Sequence, residues 1–259
     1  MSKIRIAFFD IDGTLLDFGS KEPSLKMKET LLRLKENGII LCIATGRAPL
    51  SLPSFALTGF DAYLTFNGSL CYSGDTEILS NPLFADDIKR IVKNAAGIGR
   101  PVSIATRDRF IANGMDDDLK AYYGISGSGI IIAEDFDAII SEEKVFQIMM
   151  GCYPREYQTV MEGVCHARIA AWWDRAVDII PADGGKGASI TRMLEYFGFD
   201  ASEAIAFGDG GNDIGMLQAV GTGVAMGNAS LNLIAVADDV CGTAAEDGIY
   251  SYCIEHGLI

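Results

Sequence analysis

The sequence predicts an α/β protein: a parallel sheet with crossover helices, interrupted in its middle by a separate α+β unit. Three observations carry that expectation. Apolar runs suited to strands buried on both faces alternate with stretches of helical period. The first such run stops in "FFDIDGTLL" (8–16), which sets two aspartates one residue apart where a strand ends and a Gly-Thr turn begins. After residues 82–182, whose texture differs, the chain returns to the first pattern.

Ile4 to Phe9 is apolar apart from Arg5 and rich in β-branched and aromatic side chains, as a strand covered on both faces requires. Ser24 can cap a helix in which Met27, Leu31 and Leu34 recur at helical spacing, ending at Gly38. "IILCIA" (39–44) follows as a buried strand and runs straight into "TGR". "DAYLTFNGSLCY" (61–72) reads as a strand with a turn at Asn67-Gly68.

The texture changes at Asn81-Pro82. "DDIKRIVKNAAG" is an amphipathic helix with Ile88, Ile91, Val92 and Ala95 on one face, and "RPVSIATRDRFIANG" forms two strands around a charged turn. Asp116, Asp117 and Asp118 read as a solvated helix start. "KVFQIMMG" is a strand with Met149 and Met150 in the core, "REYQTVMEGVC" a helix, and "RIAAWWDRAVDII" a closing strand pair. Trp172 and Trp173 are strand neighbours with opposite orientations, so at most one of them can reach a site. Residues 181–185, "PADGG", resemble a hinge. The core then resumes with "KGASITRMLEYFG", a helix with Ile190, Met193, Leu194 and Phe197 inward. "AIAFG" is a buried strand ending in "DGGND", and "GTGVAMG" and "ADDVCG" are two further edge segments. The expected domains are therefore a core from 1–81 and 183–259, with 82–182 inserted between its halves.

Composition narrows the function. The 259 residues are 49% apolar, enough for a substantial core. With 35 acidic against 21 basic residues the net charge is −14, which argues against nucleic acid or an anionic membrane as the main partner. A small anionic substrate is compatible with that balance if a metal and local Lys or Arg supply a positive field. The six cysteines form no C-x-x-C pair and are expected reduced in a cytoplasmic protein. Charges at Lys3, Arg5, Asp10 and Asp12 speak against a secretory signal. Residues 214–237 carry no charge, but Gln218, Thr222, Asn228, Ser230, Asn232 and four glycines make them too polar for a membrane span.

Two carboxylates spaced i, i+2 at a strand end repel each other unless something positive lies between them, and a metal ion is the simplest candidate. A solvated turn is the ordinary alternative. A calcium loop is another, but it wants an acidic residue or Asn where Thr14 stands and Glu where Lys21 stands. Three more clusters fall at strand ends or a helix start: Thr45 with Gly46 and Arg47, Lys186, and Asp209 with Asn212 and Asp213. Each alone has a dull explanation as a cap, a solvated lysine or a turn. Their joint placement at one sheet edge points to a shared site, because a doubly wound sheet keeps its ligand there.

These residues resemble the haloacid dehalogenase (HAD) superfamily of phosphotransferases, and within it the Cof-type, class IIB phosphatases with a large α/β cap between the second and third motifs. "DIDGTLL" matches the first motif, "CIATGR" the second, Lys186 in "GGKGASI" the third and "AFGDGGNDIGML" the fourth. "AVGTGVAMGNAS" and "AEDGI" match the branch's C-terminal pattern, and no motif position departs from it.

The resemblance implies a Rossmann-like core in which Asp10 is the nucleophile and Mg2+ is held by Asp10, the backbone carbonyl of Asp12, and Asp209. Asp12 would act as general acid and then base, which favours phosphate esters over phosphonate or dehalogenation chemistry. Thr45, Ile11, the backbone N–H of Gly46, and Asn212 would hold phosphate, with Lys186 stabilising its charge. Asp213 would lie beneath the metal, as a ligand through water or as partner to Lys186. Arg47 stands between a substrate contact and a salt bridge near the hinge. The implied protein is a Mg2+-dependent phosphatase of a small phosphorylated metabolite, with sugar phosphates the favoured class. A phosphomutase or phosphotransferase would use the same residues. A receiver-like signalling domain shares the acidic residues, the Thr and the Lys, yet needs neither the large insertion nor Asp12.

Overall fold

The computed structural model describes residues 3–57, 59–126, 129–171 and 173–259; Trp172 lies outside them. The chain opens with β1 (Ile6–Phe9), whose four residues are all buried, then α1 (Leu25–Glu36) and β2 (Ile40–Ala44). Ser24 caps α1 by accepting from the Met27 N–H at 3.0 Å. Next come β3 (Ala62–Thr65), β4 (Leu70–Ser73) and β5 (Thr76–Ser80), joined antiparallel by a tight turn through Asn67 and a short hairpin. The sequence reading ends this run at Tyr72. β5 extends it because pairing with β4 holds a short, half-polar segment that has little strand signature alone.

The middle of the chain forms its own compact unit, Arg47–Ser51 with Asn81–Gly184. Arg47–Ser51, which the sequence reading assigns to the core, therefore clusters with the insertion. The insertion runs α2 (Ala85–Gly97), β6 (Ser103–Ala105), β7 (Phe110–Ala112), α3 (Asp117–Ser126), β8 (Ile131–Ile132), α4 (Phe136–Glu142), β9 (Gln147–Gly151), α5 (Tyr157–Val160), β10 (Ala167–Ala170) and β11 (Ala176–Pro181). Its six strands lie in the order β10-β11-β9-β6-β7-β8, antiparallel except for β7 with β8. Ile88, Ile91 and Ala95 of α2 pack with Ile104, Ile148, Met150, Val177 and Ile179 into its core.

Two expectations change here. The segment read as one helix, "REYQTVMEGVC", is a 3₁₀ turn at Pro154–Glu156 followed by the single-turn α5. The triple aspartate does start a helix, but only Asp117 is exposed: Asp118 is buried and salt-bridged to Arg100 and Arg175, and Asp116 also binds Arg100. Burial of those carboxylates depends on arginines far along the chain, which no local pattern reveals. Trp173 carries the Arg175 guanidinium over its ring at 5.2 Å.

The chain returns with α6 (Lys186–Phe197), β12 (Ala204–Gly208), α7 (Ile214–Gln218), β13 (Thr222–Ala225), α8 (Leu231–Ile234), β14 (Asp239–Val240) and α9 (Gly248–Glu255). These join the first part in an eight-stranded sheet ordered β14-β13-β12-β1-β2-β3-β4-β5, parallel from β14 to β3. Ala7, Phe9, Ile43 and Phe207 face α1 and α9 on one side; Ile6, Phe8, Ala44 and Ala206 face α6 and α7 on the other. Strands covered on both faces explain the continuous apolar runs. Strand order reverses direction at β1 and β12, so the loops beyond their carboxyl ends diverge and open a crevice.

Candidate active site

Asp10 follows β1 at that crevice, and its backbone N–H donates to the carbonyl of Phe207 on β12 at 3.0 Å. Lys186, the first residue of α6, reaches it from the opposite half of the chain. The Lys186 Nζ donates to Asp10 Oδ1 at 2.6 Å and to Asp213 Oδ1 at 2.5 Å, and the residue is 1% exposed. Burial alone would push the lysine pKa down, but the two carboxylates outweigh it and hold the ammonium charged.

Asp213 is also buried, and its other oxygen, Oδ2, accepts from the backbone N–H groups of Asp209 and Gly210 at 3.1 and 3.0 Å. Asp213 thus holds the loop that carries Asp209 while it holds Lys186. Between the two sequence alternatives for Asp213, the geometry displays the lysine partnership. Asp209 sits beyond the end of β12 and accepts from the Thr14 hydroxyl at 3.3 Å. Gly13, at φ +79°, makes this approach possible, because a Cβ there would lie 2.3 Å from Asp209 Oδ2.

One oxygen each from Asp10, Asp209 and Asp213 lies within 4.8 Å of the others, close enough to share a cation. Burial pushes the Asp10 carboxyl up to about 7 and the Asp209 carboxyl up to about 6, with Asp213 adding repulsion in both cases. Carboxylates crowded and desolvated in this way bind a hard cation in exchange for protons.

Asp12 is exposed and pairs with Leu16 in an isolated bridge, whereas the Ile11 side chain lies in the core and leaves only its backbone for a ligand. Thr45 follows β2 and is buried, with its N–H on the Leu64 carbonyl at 2.9 Å. Gly46 sits beside Asn67. Arg47 donates through Nη1 to the Ser51 carbonyl at 3.0 Å, so this guanidinium braces its own 3₁₀ turn. The Asn212 amide donates to Asn67 Oδ1 at 3.1 Å.

The structure adds residues that the sequence reading leaves aside. Thr14 lies inside the first quoted motif but registers there only as a break in calcium-loop spacing. Asn228 donates to the carbonyl of Gly13 at 2.9 Å and so supports the loop after β1. Asn67 registers only as half of an Asn-Gly turn.

A doubly wound sheet whose switch point gathers three carboxylates around a buried lysine defines an α/β enzyme with its ligand site at the strand ends. More particularly, the chain belongs to the haloacid dehalogenase-like hydrolases, whose family model matches residues 7–252. It is 32% identical over 256 residues to YkrA of Bacillus subtilis (strain 168), a phosphatase by name, with 98% of both chains covered. It is 28% identical to the 5-amino-6-(5-phospho-D-ribitylamino)uracil phosphatase YitU of the same organism, again over 98% of both chains. The solved structure of the HAD subclass IIB sugar phosphatase BT4131 matches with a TM-score of 0.85 at 28% identity, covering 98% of this chain and all of that one. The protein is accordingly a HAD-type phosphatase. Among the described residues no helix is long and apolar enough to cross a membrane.

Proposed function

We propose that the protein hydrolyses small phosphomonoesters, sugar and polyol phosphates by preference, in a Mg2+-dependent reaction through an aspartyl-phosphate on Asp10. The observation that carries this reading is the fully buried Lys186 bound to both Asp10 and Asp213, with Asp209 close enough to share a cation. The substrate class is supported by two relatives: a sugar phosphatase, and a phosphatase whose substrate bears its phosphate on a ribityl chain. Six free thiols suit a cytoplasmic setting.

The donor set fits Mg2+, being hard carboxylate oxygen without His or Cys. Asp10, Asp209 and the backbone carbonyl of Asp12 would hold the ion. When bound, it offsets the negative charge of carboxylates and phosphate and orients the phosphoryl group. Lys186 occupies Asp10 Oδ1 and leaves Oδ2 to attack phosphorus. As that bond forms, the phosphorus–ester oxygen bond breaks, and Asp12 gives its proton to the departing alcohol. Asp12, now a base, takes a proton from water, the water oxygen attacks phosphorus, and the Asp10–phosphorus bond breaks to release phosphate. The backbone N–H groups at Ile11 and Gly46, the Thr45 hydroxyl and Asn212 receive the phosphoryl oxygens, while Lys186 balances the charge spreading over them.

Phosphate release from a panel of sugar phosphates, polyol phosphates and an aryl phosphate, with and without Mg2+, tests the reading. Turnover is expected only with the metal, and Asp10→Asn is expected to abolish it; full activity in that variant would remove Asp10 as nucleophile.

A further inference from the structure

Residues 66–68 carry three consecutive positive φ angles, 52° at Phe66, 55° at Asn67 and 93° at Gly68. Left-handed backbone suits glycine and is tolerated by asparagine, but it is unfavourable for a bulky aromatic residue. Such strain persists only where the surroundings hold it. Three anchors do so here. The Asn67 N–H donates to the Thr45 carbonyl at 2.9 Å, the Ser189 hydroxyl donates to the Gly68 carbonyl at 2.7 Å, and the Asn212 amide donates to Asn67 Oδ1 at 3.1 Å. Thr45 ends β2, Ser189 lies one turn beyond Lys186 on α6, and Asn212 neighbours Asp213. The strained turn is therefore tied to three of the segments that build the site.

Its side chain is only partly committed. Oδ1 is taken by Asn212, while Nδ2 has no hydrogen-bond partner among the described residues. The amide lies against Gly46, where a Cβ would stand 3.2 Å from both Nδ2 and Oδ1. A neutral N–H donor thus stands between the Thr45–Gly46 segment and Asn212, fixed in place before any ligand arrives.

We propose that Asn67 is a further phosphoryl-binding residue of this site: its Nδ2 donates to a non-bridging phosphoryl oxygen while its Oδ1 fixes the Asn212 amide. The assignment rests on the phosphatase reading above and extends it to a residue outside the four motifs. A neutral donor suits the position, because it adds a preorganised dipole for the phosphoryl oxygens without a further charge beside Asp10 and Lys186.

Two variants separate this role from a structural one. Asn67→Asp keeps the size, the tolerance of left-handed backbone and an oxygen for Asn212, but replaces the donor with a carboxylate that repels a phosphate dianion. Asn67→Gly keeps the backbone conformation without strain and removes the amide. Both are compared with wild type and Asp10→Asn at saturating Mg2+, using turnover of an aryl phosphate, product inhibition by inorganic phosphate, and thermal midpoints. The expected result is a fall in kcat/KM on the order of a hundredfold in Asn67→Asp and a smaller fall in Asn67→Gly. Inhibition by inorganic phosphate weakens in both, while Asn67→Gly keeps its thermal midpoint. Unchanged phosphate inhibition in both variants would overturn the proposal, even if their thermal midpoints drop. An inactive Asp10→Asn beside Asn67 variants of wild-type behaviour leaves the phosphatase reading standing and removes the Asn67 role alone. An active Asp10→Asn removes the reading and this assignment with it.

Discussion

Lys186 is an ammonium group buried between two carboxylates, and its loss would leave those carboxylates without a counter-charge. Lys186→Met is therefore expected to destabilise the metal-free protein by about 3–5 kcal/mol in chemical denaturation. Added Mg2+ should recover part of that loss, read as a larger metal-induced rise in thermal midpoint than in wild type. The pH dependence follows from Asp10 at about 7 and Asp209 at about 6. Carboxyl groups raised in the fold contribute stability while protonated, below their ordinary value near 3.8, and lose it as pH rises through 6 to 7. Without metal, the thermal midpoint of wild type relative to Asp10→Asn should thus decline from about pH 4 to about pH 7. Mg2+ bound as proposed would have to displace those protons, so its stabilising effect is expected to grow over about pH 6 to 8, as thermal midpoints with and without the metal would show. Asp10, Lys186 and Asp209 were legible in the sequence because each stands in a distinctive motif at a strand or helix end. Asn67 was not, since Asn-Gly spells a turn whatever else the amide does. Its importance comes from Gly46 and Asn212, which only the folded chain brings beside it.

At the scale of elements, the insertion depends on charges that look like surface in the sequence. Arg100 spans Asp116, Asp118 and Glu156, and Arg175 adds a second clasp on Asp118, which joins the start of α3 to the β10–β11 hairpin. Burial opposes ionisation of Asp118, but Arg175 and Arg100 outweigh it and hold the carboxyl below its usual range. A depressed carboxyl contributes its stability above the unfolded value of 3.8 and loses it as pH falls through the folded one. Asp118→Asn is expected to cost about 2 kcal/mol at neutral pH, with the deficit disappearing in strong acid, as denaturation across pH would show. Longer elements with strong period, such as α1, α2 and α6, were readable from their apolar faces. The single-turn α5 and the two-residue β8 were not, because pairing and packing rather than propensity hold them.

Across the whole chain, a net charge of −14 repels a dianionic substrate that the site itself attracts. At saturating Mg2+, kcat/KM for a phosphomonoester should rise as NaCl increases from about 20 to about 200 mM, because screening shortens from roughly 20 to 7 Å. A fall instead would place a positive field around the approach. The discontinuous core has a consequence in time as well as in space. Asp10 and Lys186 are separated by 176 residues, and β1 pairs with β12 from the far end of the chain. A ribosome releases β1 early and must make most of the protein before its neighbour exists. The insertion draws nearly all its strands and helices from one continuous stretch, so it closes smaller loops and is positioned to fold first. Lys186 is made shortly before β12, and Asp209 and Asp213 only after it, so the Asp10 carboxylate lacks its companion carboxylates until synthesis has passed that strand. The site is consequently completed late in synthesis, and a nascent chain cut short before that strand carries Asp10 without Asp209 and Asp213.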